Sequence, residues 1–256
     1  MKKHQARTGK LLKYLDSEDQ YAEHAYAALN ENFRSREEFN VFFDSISPPE
    51  RKDLFLRLAS FYRFLVKEAH VHFSNPQWCS GLSYIDDTFK YVAIFSLIEA
   101  AFGKDEYLDF YQYLDQKEQP FEYPIANRDQ LENLHRKYKI EYGSIQNAVK
   151  FFEALDGTCK GHLAAKLRVR PKPSAEKPDA IRKWEELSII ELAKKLYGMR
   201  SEFVHKAEFV LSLNAGPSLS VRRSKVVLNE LSMPDIMTFF EHGLLIQFGH
   251  LVDLHD

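Results

Sequence analysis

The chain is poor in sulfur and in backbone punctuation. Its 256 residues include 2 cysteines, 4 methionines, 10 glycines and 10 prolines. Cys79 and Cys159 stand far apart, so no disulfide framework is encoded, and the expectation is a reduced, cytoplasmic protein. Charge of one sign is also lacking: 35 Lys and Arg against 37 Asp and Glu leave −2. No global basic field draws the surface to nucleic acid or acidic lipid, so any polyanion site must be local. No window approaches the run of about 18 uncharged apolar residues that a membrane span needs, so none is expected. The opening MKKHQARTGKLLKYLDSEDQ is basic with no apolar stretch behind it, unlike a secretory signal.

The common catalytic signatures are missing too. There is no Gly-rich phosphate loop, no G-x-S-x-G, no H-E-x-x-H and no paired C-x-x-C. His70-Val-His72 sits in a helical pattern, where residues two apart point about 200° from each other. Cys159-Lys-Gly-His162 falls in a loop-like stretch without further ligands at zinc spacing. His250, Asp253, His255 and Asp256 lie at a chain end, where order is usually loose. No metal and no cofactor is expected.

Rings are abundant: 20 Phe, 13 Tyr and 2 Trp bring the aromatic share to 14%, which predicts an interior packed around them. Nearly every strong periodicity is helical. Residues 20–32 form a modest amphipathic helix, and Ser35 with Glu38 matches a capping box opening the next. Ser47 with Glu50 is a second match, with prolines at the first helical positions. The helix after it carries Leu54, Leu58, Phe61, Leu65 and Ala69 as one apolar stripe. NPQWCSGLS breaks the pattern and divides an N-terminal helical region, 1–80, from a second region, 81–256.

Beyond that break, Asp86 or Asp87 is placed to cap DTFKYVAIFSLIEAAFGK, apolar almost all round, with Gly103 as its stop. Such a helix belongs at the centre of a bundle. Helices are predicted at 128–139 and 144–155. Residues 156–180 look like a basic loop, and Asp179 is placed to cap a long helix over roughly 180–210. Apolar–polar alternation around Asn-Ala-Gly-Pro predicts a β-hairpin near 209–228, and a last helix runs from Pro234 to about 252. The expected fold is all-α, an up-and-down helical bundle with an N-terminal helical extension and a small late β-hairpin.

LYGMRSEFVHKAEF, residues 196–209, holds Arg200 and, five positions on, His205. An Arg and a downstream His recur as Arg63/His70 and Arg128/His135, so spacing alone is weak. On a straight helix five residues separate two side chains by about 140°. They meet on one target only if the helix is irregular, for which Gly198 is placed, or if two subunits share the site. LYGMRSEFVH resembles the R-x4–6-H segment of HEPN domains, in particular the Apea-like group. YVAIFSLIEAAFG, with its embedded Glu99, resembles that group's central helix, and EYGSIQNAVKFFEAL the helix before the motif. The resemblance spans roughly 85–212.

What the resemblance implies is a homodimer with the motif at its interface, acting as a metal-independent endoribonuclease in a stress, toxin or antiphage system. A cognate antitoxin or regulatory protein would be a further partner. Arg200 and His205 would be its catalytic pair, supported by Ser201 and Glu99. An imidazole can take and return the proton of an attacking ribose 2′-OH, and a guanidinium offers a planar fork of donors to phosphate oxygens. RNA is then the substrate and a cyclic phosphate the product. Lys160, Lys166, Arg168, Arg170, Lys206, Arg222 and Arg223 are candidate RNA backbone contacts, with solvated loop and edge-strand positions as the plainer account. Many active members carry Asn, Asp or His directly after the arginine, where this chain has Ser201, with Glu202 beside it. Two other readings therefore stand beside the first: a non-catalytic HEPN-like module that dimerises or binds a nucleotide or partner, and a helical scaffold with no site here, in which Arg200 and His205 are ordinary exposed residues. Since buried carboxylates are rare unless paired, an Arg200–Glu99 ion pair is the plainer account of those two residues.

Overall fold

The computed structural model describes residues 18–72, 74, 82–102, 108–116, 127–172, 183–208, 213, 216–222 and 225–250. Helix α1, Glu18–Leu29, runs into a short 3-10 turn, Asn30–Asn32. Helix α2, Arg36–Ser45, starts where the sequence predicts: the Ser35 hydroxyl accepts from the Glu38 amide at 3.3 Å. Glu38 reaches back to the amide of Arg34 at 2.7 Å, so the box closes one residue wide. Helix α3, Pro49–Tyr62, has no side-chain cap, because Pro48 occupies the cap position and leaves Ser47 one residue too early.

The stripe expected along α3 is also displaced. Regular helix ends at Tyr62 and passes into one π-helical turn, Arg63–Glu68. The wider turn rotates the residues within it, so Val66 is buried while Leu65 stands 45% exposed. The face that packs is Phe55, Leu58, Ala59, Tyr62 and Val66.

Helix α4, Leu82–Phe102, starts before Asp86 and Asp87, so neither caps it. Asp86 instead accepts from the Val71 amide at 2.8 Å and pairs with Lys90 at 2.7 Å. The expected stop, Gly103, lies outside the described residues. Helices α5 (Phe110–Gln116), α6 (Arg128–Tyr142) and α7 (Ser144–Ala154) come next, the first unanticipated and the other two close to expectation. As its composition demands, α4 is central, packed against α3, α7 and α9, and against α10.

The largest departure falls in the stretch that reads as a basic loop. Asp156 caps a helix, α8 (Gly157–Lys166), by accepting from the Cys159 amide at 2.8 Å. Strand β1, Leu167–Pro171, adjoins it directly, with Leu167 and Val169 buried at alternate positions. After a short β2, Glu185–Glu186, helix α9 spans Ile189–Lys206. It starts later than the sequence suggests, at a reciprocal box between Ser188 and Glu191; Asp179 lies outside the described residues. Ala207 stops it in a left-handed conformation, φ 55°.

The hairpin also shifts. Strands β3 (Ser218–Arg222) and β4 (Lys225–Asn229) pair beyond Pro217, while 209–212 and 214–215 of the expected first strand lie outside the described residues. They belong to a four-stranded antiparallel sheet, β2-β1-β4-β3, because the buried alternation of β1 pairs with β4. Helix α10, Met233–Gln247, closes the described chain behind a box between Ser232 and Asp235.

The fold is thus a helical bundle with a small sheet. One buried cluster joins Phe39 and Phe55 to Phe95, Phe151, Phe152, Phe239 and Phe240, so residues on both sides of position 80 share a single core. Each such ring contributes about 1.5–3 kcal/mol by leaving water. Among the described residues no helix is long and apolar enough to cross a membrane.

Gly243, midway along α10, lets α7 come close: a Cβ there would collide with the Phe151 ring. Alanine normally strengthens a helix by ~1 kcal/mol over glycine. Here the overlap reverses the sign, and Gly243→Ala is expected to lower stability by roughly 1–3 kcal/mol in urea unfolding. Phe151→Leu in the same chain should recover part of the loss. A stabilised Gly243→Ala would show that the helices are not in this contact.

Candidate functional site

The Arg200 site is built by α4, α7 and α9. The Tyr91 hydroxyl, on fully buried α4 surface, donates to the Leu196 carbonyl at 2.8 Å and fixes α9 one turn before Arg200. Arg200 then lies against Glu99: Nη2 is 3.4 Å from Oε1, and the side chains are 17% and 23% exposed. The contact is an ion pair without hydrogen-bond alignment, for Glu99 Oε1 and Arg200 Nε are both buried without a hydrogen-bond partner. Nη1 lies 3.5 Å from the Tyr197 hydroxyl, and the guanidinium sits 5.6 Å from that ring's centroid. Burial pushes the Tyr197 hydroxyl above its ordinary value; Glu99 adds to this, while Ser144 and Arg200 oppose it. Tyr197, one turn before the arginine, was visible in the sequence as a neighbour; Ser144, arriving from α7, was not.

His205 is placed differently. Helix α9 is continuous through Gly198, so the irregularity that would bring the pair together within one chain does not occur. Arg200 faces α4, and His205, about 140° round the helix, stands exposed in its last turn with Lys206. Ser201 and Glu202 are half-buried between them. Just beside, Phe203 meets Phe89 edge-on at 5.6 Å, while Phe89 is 52% and Val204 47% exposed. The other two Arg/His matches remain apart from this site: Arg63 contacts His24 at 2.7 Å, and Arg128 pairs with Glu132.

Three of the seven basic candidates are engaged within the chain. Lys166 donates to Asp235 at 2.6 Å, Arg168 to Glu230 at 2.6 Å, and Arg170 lies 4.6 Å from the Trp184 ring centroid. Lys160 is half-buried on α8, and Arg222 ends β3 opposite Lys225. Arg223 lies outside the described residues. Lys166, Arg168 and Arg170 thus tie the end of α8 and β1 to α10, to the segment before α10 and to the segment before α9, which explains the basic bias there without a polyanion.

A second polar cluster lies elsewhere. Cys159 does not meet His162, whose Nε2 turns to Asp235 at 3.7 Å. Its Sγ is 3.2 Å from Nδ1 of His242 on α10. Ligand atoms of Asp156, Cys159 and His242 lie within 4.8 Å of one another. Burial pushes the Cys159 thiol up to about 12, and burial also holds His242 below its ordinary range. His70 and His72 do not converge in this way; His70 is exposed beside Asp86.

Asp235 offers a test of the Lys166 contact. Burial alone would raise its carboxyl, but hydrogen bonds from Lys166 and from the Ser232 hydroxyl and amide outweigh it and hold the group below the ordinary 3.8. A depressed folded value contributes stability that is present above the unfolded value and is lost as pH falls through the folded one. Lys166→Met raises the folded value, so acid unfolding followed by circular dichroism should move to higher pH. An unmoved midpoint would show that Lys166 does not hold this carboxylate.

Compared with protein-family models, with curated proteins and with solved structures, the chain matches none.

Proposed function

We propose that the chain is a HEPN-type module that works as a homodimer and cleaves RNA, without metal, by 2′-OH attack at a site shared between two copies. The observation that carries this reading is the separation of the pair. Arg200 is held against α4 with a buried, unpartnered Nε, while His205 stands in solvent at the end of the same helix. One copy cannot direct both at one phosphate; a second copy packed across the end of α9 can supply the missing partner. The exposed Phe89 and Val204 beside His205 are the kind of apolar surface that such a contact covers. In that site the His205 imidazole takes the 2′-OH proton, and Arg200 meets the charge that grows on the phosphate oxygens.

Arg200 is also the basis of the second reading, a non-catalytic dimerisation or partner-binding module. Its guanidinium already faces Glu99 and the Tyr197 ring, an arrangement a purely structural arginine also adopts.

Purified protein incubated with RNA and a chelator separates the two. Wild type should cleave, and Arg200→Ala and His205→Ala should each lose activity by on the order of a hundredfold or more. Mixing the two inactive variants should restore about a quarter of the activity, since half the dimers are mixed and each has one intact site. No cleavage by wild type, or equal cleavage by both variants, defeats the ribonuclease reading. A mixture that stays inactive defeats the shared site.

A further inference from the structure

The cluster of Asp156, Cys159 and His242 is independent of the RNA reading, and its chemistry is that of a metal centre. Asp156 is the cap of α8 and Cys159 lies in its first turn, while His242 comes from the middle of α10. Cys159 Sγ and His242 Nδ1 are 3.2 Å apart, and a ligand atom of Asp156 is within 4.8 Å of both. One Asp156 oxygen is committed to the Cys159 amide; the other, Oδ2, is buried with no hydrogen-bond partner. The Cys159 thiol and the Thr158 amide also donate toward this carboxylate, and a cation bound by the thiolate takes the place of the thiol's proton beside it.

The donor set selects the cation. A thiolate and an imidazole are ligands for zinc and its neighbours, not for magnesium or calcium, and a carboxylate oxygen completes three of four tetrahedral positions. Sulfur and nitrogen ligands on one zinc stand roughly 3.5 Å apart, so an opening of a few tenths of an ångström suffices. Charge also balances: Asp156 and a Cys159 thiolate bring two negative charges, neutral His242 none, and the dication cancels them in a buried site. We propose that Asp156, Cys159 and His242 bind one zinc(II) ion that pins the start of α8 to α10. On binding, the Cys159 S–H bond breaks, sulfur donates its pair to the metal, and the proton leaves to solvent. Water takes the fourth position, reached past half-buried Asp156.

The test is the full chain in a thiol-free reducing buffer with one equivalent of cobalt(II). A thiolate-to-cobalt band in the near ultraviolet, visible bands of four-coordinate strength, and bleaching of both by zinc are expected. Since the chain has 2 cysteines, retention of the band in Cys79→Ser assigns it to Cys159 even if Cys159→Ser should unfold. Asp156→Asn and His242→Gln should weaken cobalt binding by roughly tenfold or more. Zinc at a hundredfold excess over Kd should raise the wild-type Tm by roughly 5–10 °C. Absence of the thiolate band in wild type, or its loss in Cys79→Ser, overturns the proposal.

Discussion

The carboxylate of Glu241 sits where the N-terminal helices meet α10. It lies near the middle of α10, only 9% exposed, and accepts from the Tyr62 hydroxyl at 2.6 Å and Asn32 Nδ2 at 2.7 Å, with Lys67 Nζ at 2.9 Å. A carboxylate is rarely buried unless its lone pairs are met, and removing one partner of such a set costs more than the set stabilises. That asymmetry makes it a constraint on geometry. Glu241 holds the 3-10 turn after α1, the end of α3 and the π-helical turn at one point of α10. The wider turn has a physical purpose here, since it carries Lys67 to the carboxylate while Val66 stays buried.

Fixing Glu241 fixes the rotation of α10, and successive residues on a helix turn by about 100°. Glu241 faces the N-terminal helices, His242 reaches Cys159 on α8, and Gly243 lies against the Phe151 ring of α7. Three consecutive residues thus address three different neighbours, and all three are buried. A rotation of α10 that improved one contact would break the other two.

The sequence disclosed the parts that depend on local chemistry and hid those that depend on distant ones. Helices α4, α6 and α7 were legible because helical periodicity is a local signal, although the caps expected for α4 did not form. Helix α8 and β1 were missed because the lysines and arginines between Lys160 and Arg170 outweighed two quieter signals: Asp156 three residues before Cys159, and the apolar alternation of Leu167 and Val169. The separation of Arg200 from His205 came from helix geometry alone. That Arg200 would be the inward member needed α4, whose Glu99 the sequence marked as a buried carboxylate in want of a partner. The Cys159–His242 contact spans 83 positions, and no spacing pattern could announce it.

Glu99 and Glu241 have the same origin, each an acidic residue in an otherwise apolar helix, and they end differently. Glu241 is met by three donors at hydrogen-bonding distance, so its arrangement is complete and has nothing left to offer a ligand. Glu99 meets Arg200 at 3.4 Å without hydrogen-bond alignment, and the two leave Oε1 and Nε buried and unmatched. An unmet buried donor costs about 1–3 kcal/mol, and the Nε atoms of Arg57, Arg168 and Arg170 are buried without a partner as well, so this feature alone does not separate a binding arginine from a structural one. The contrast between the two carboxylates is one of completeness: three donors meet Glu241, while Glu99 and Arg200 meet only as an ion pair.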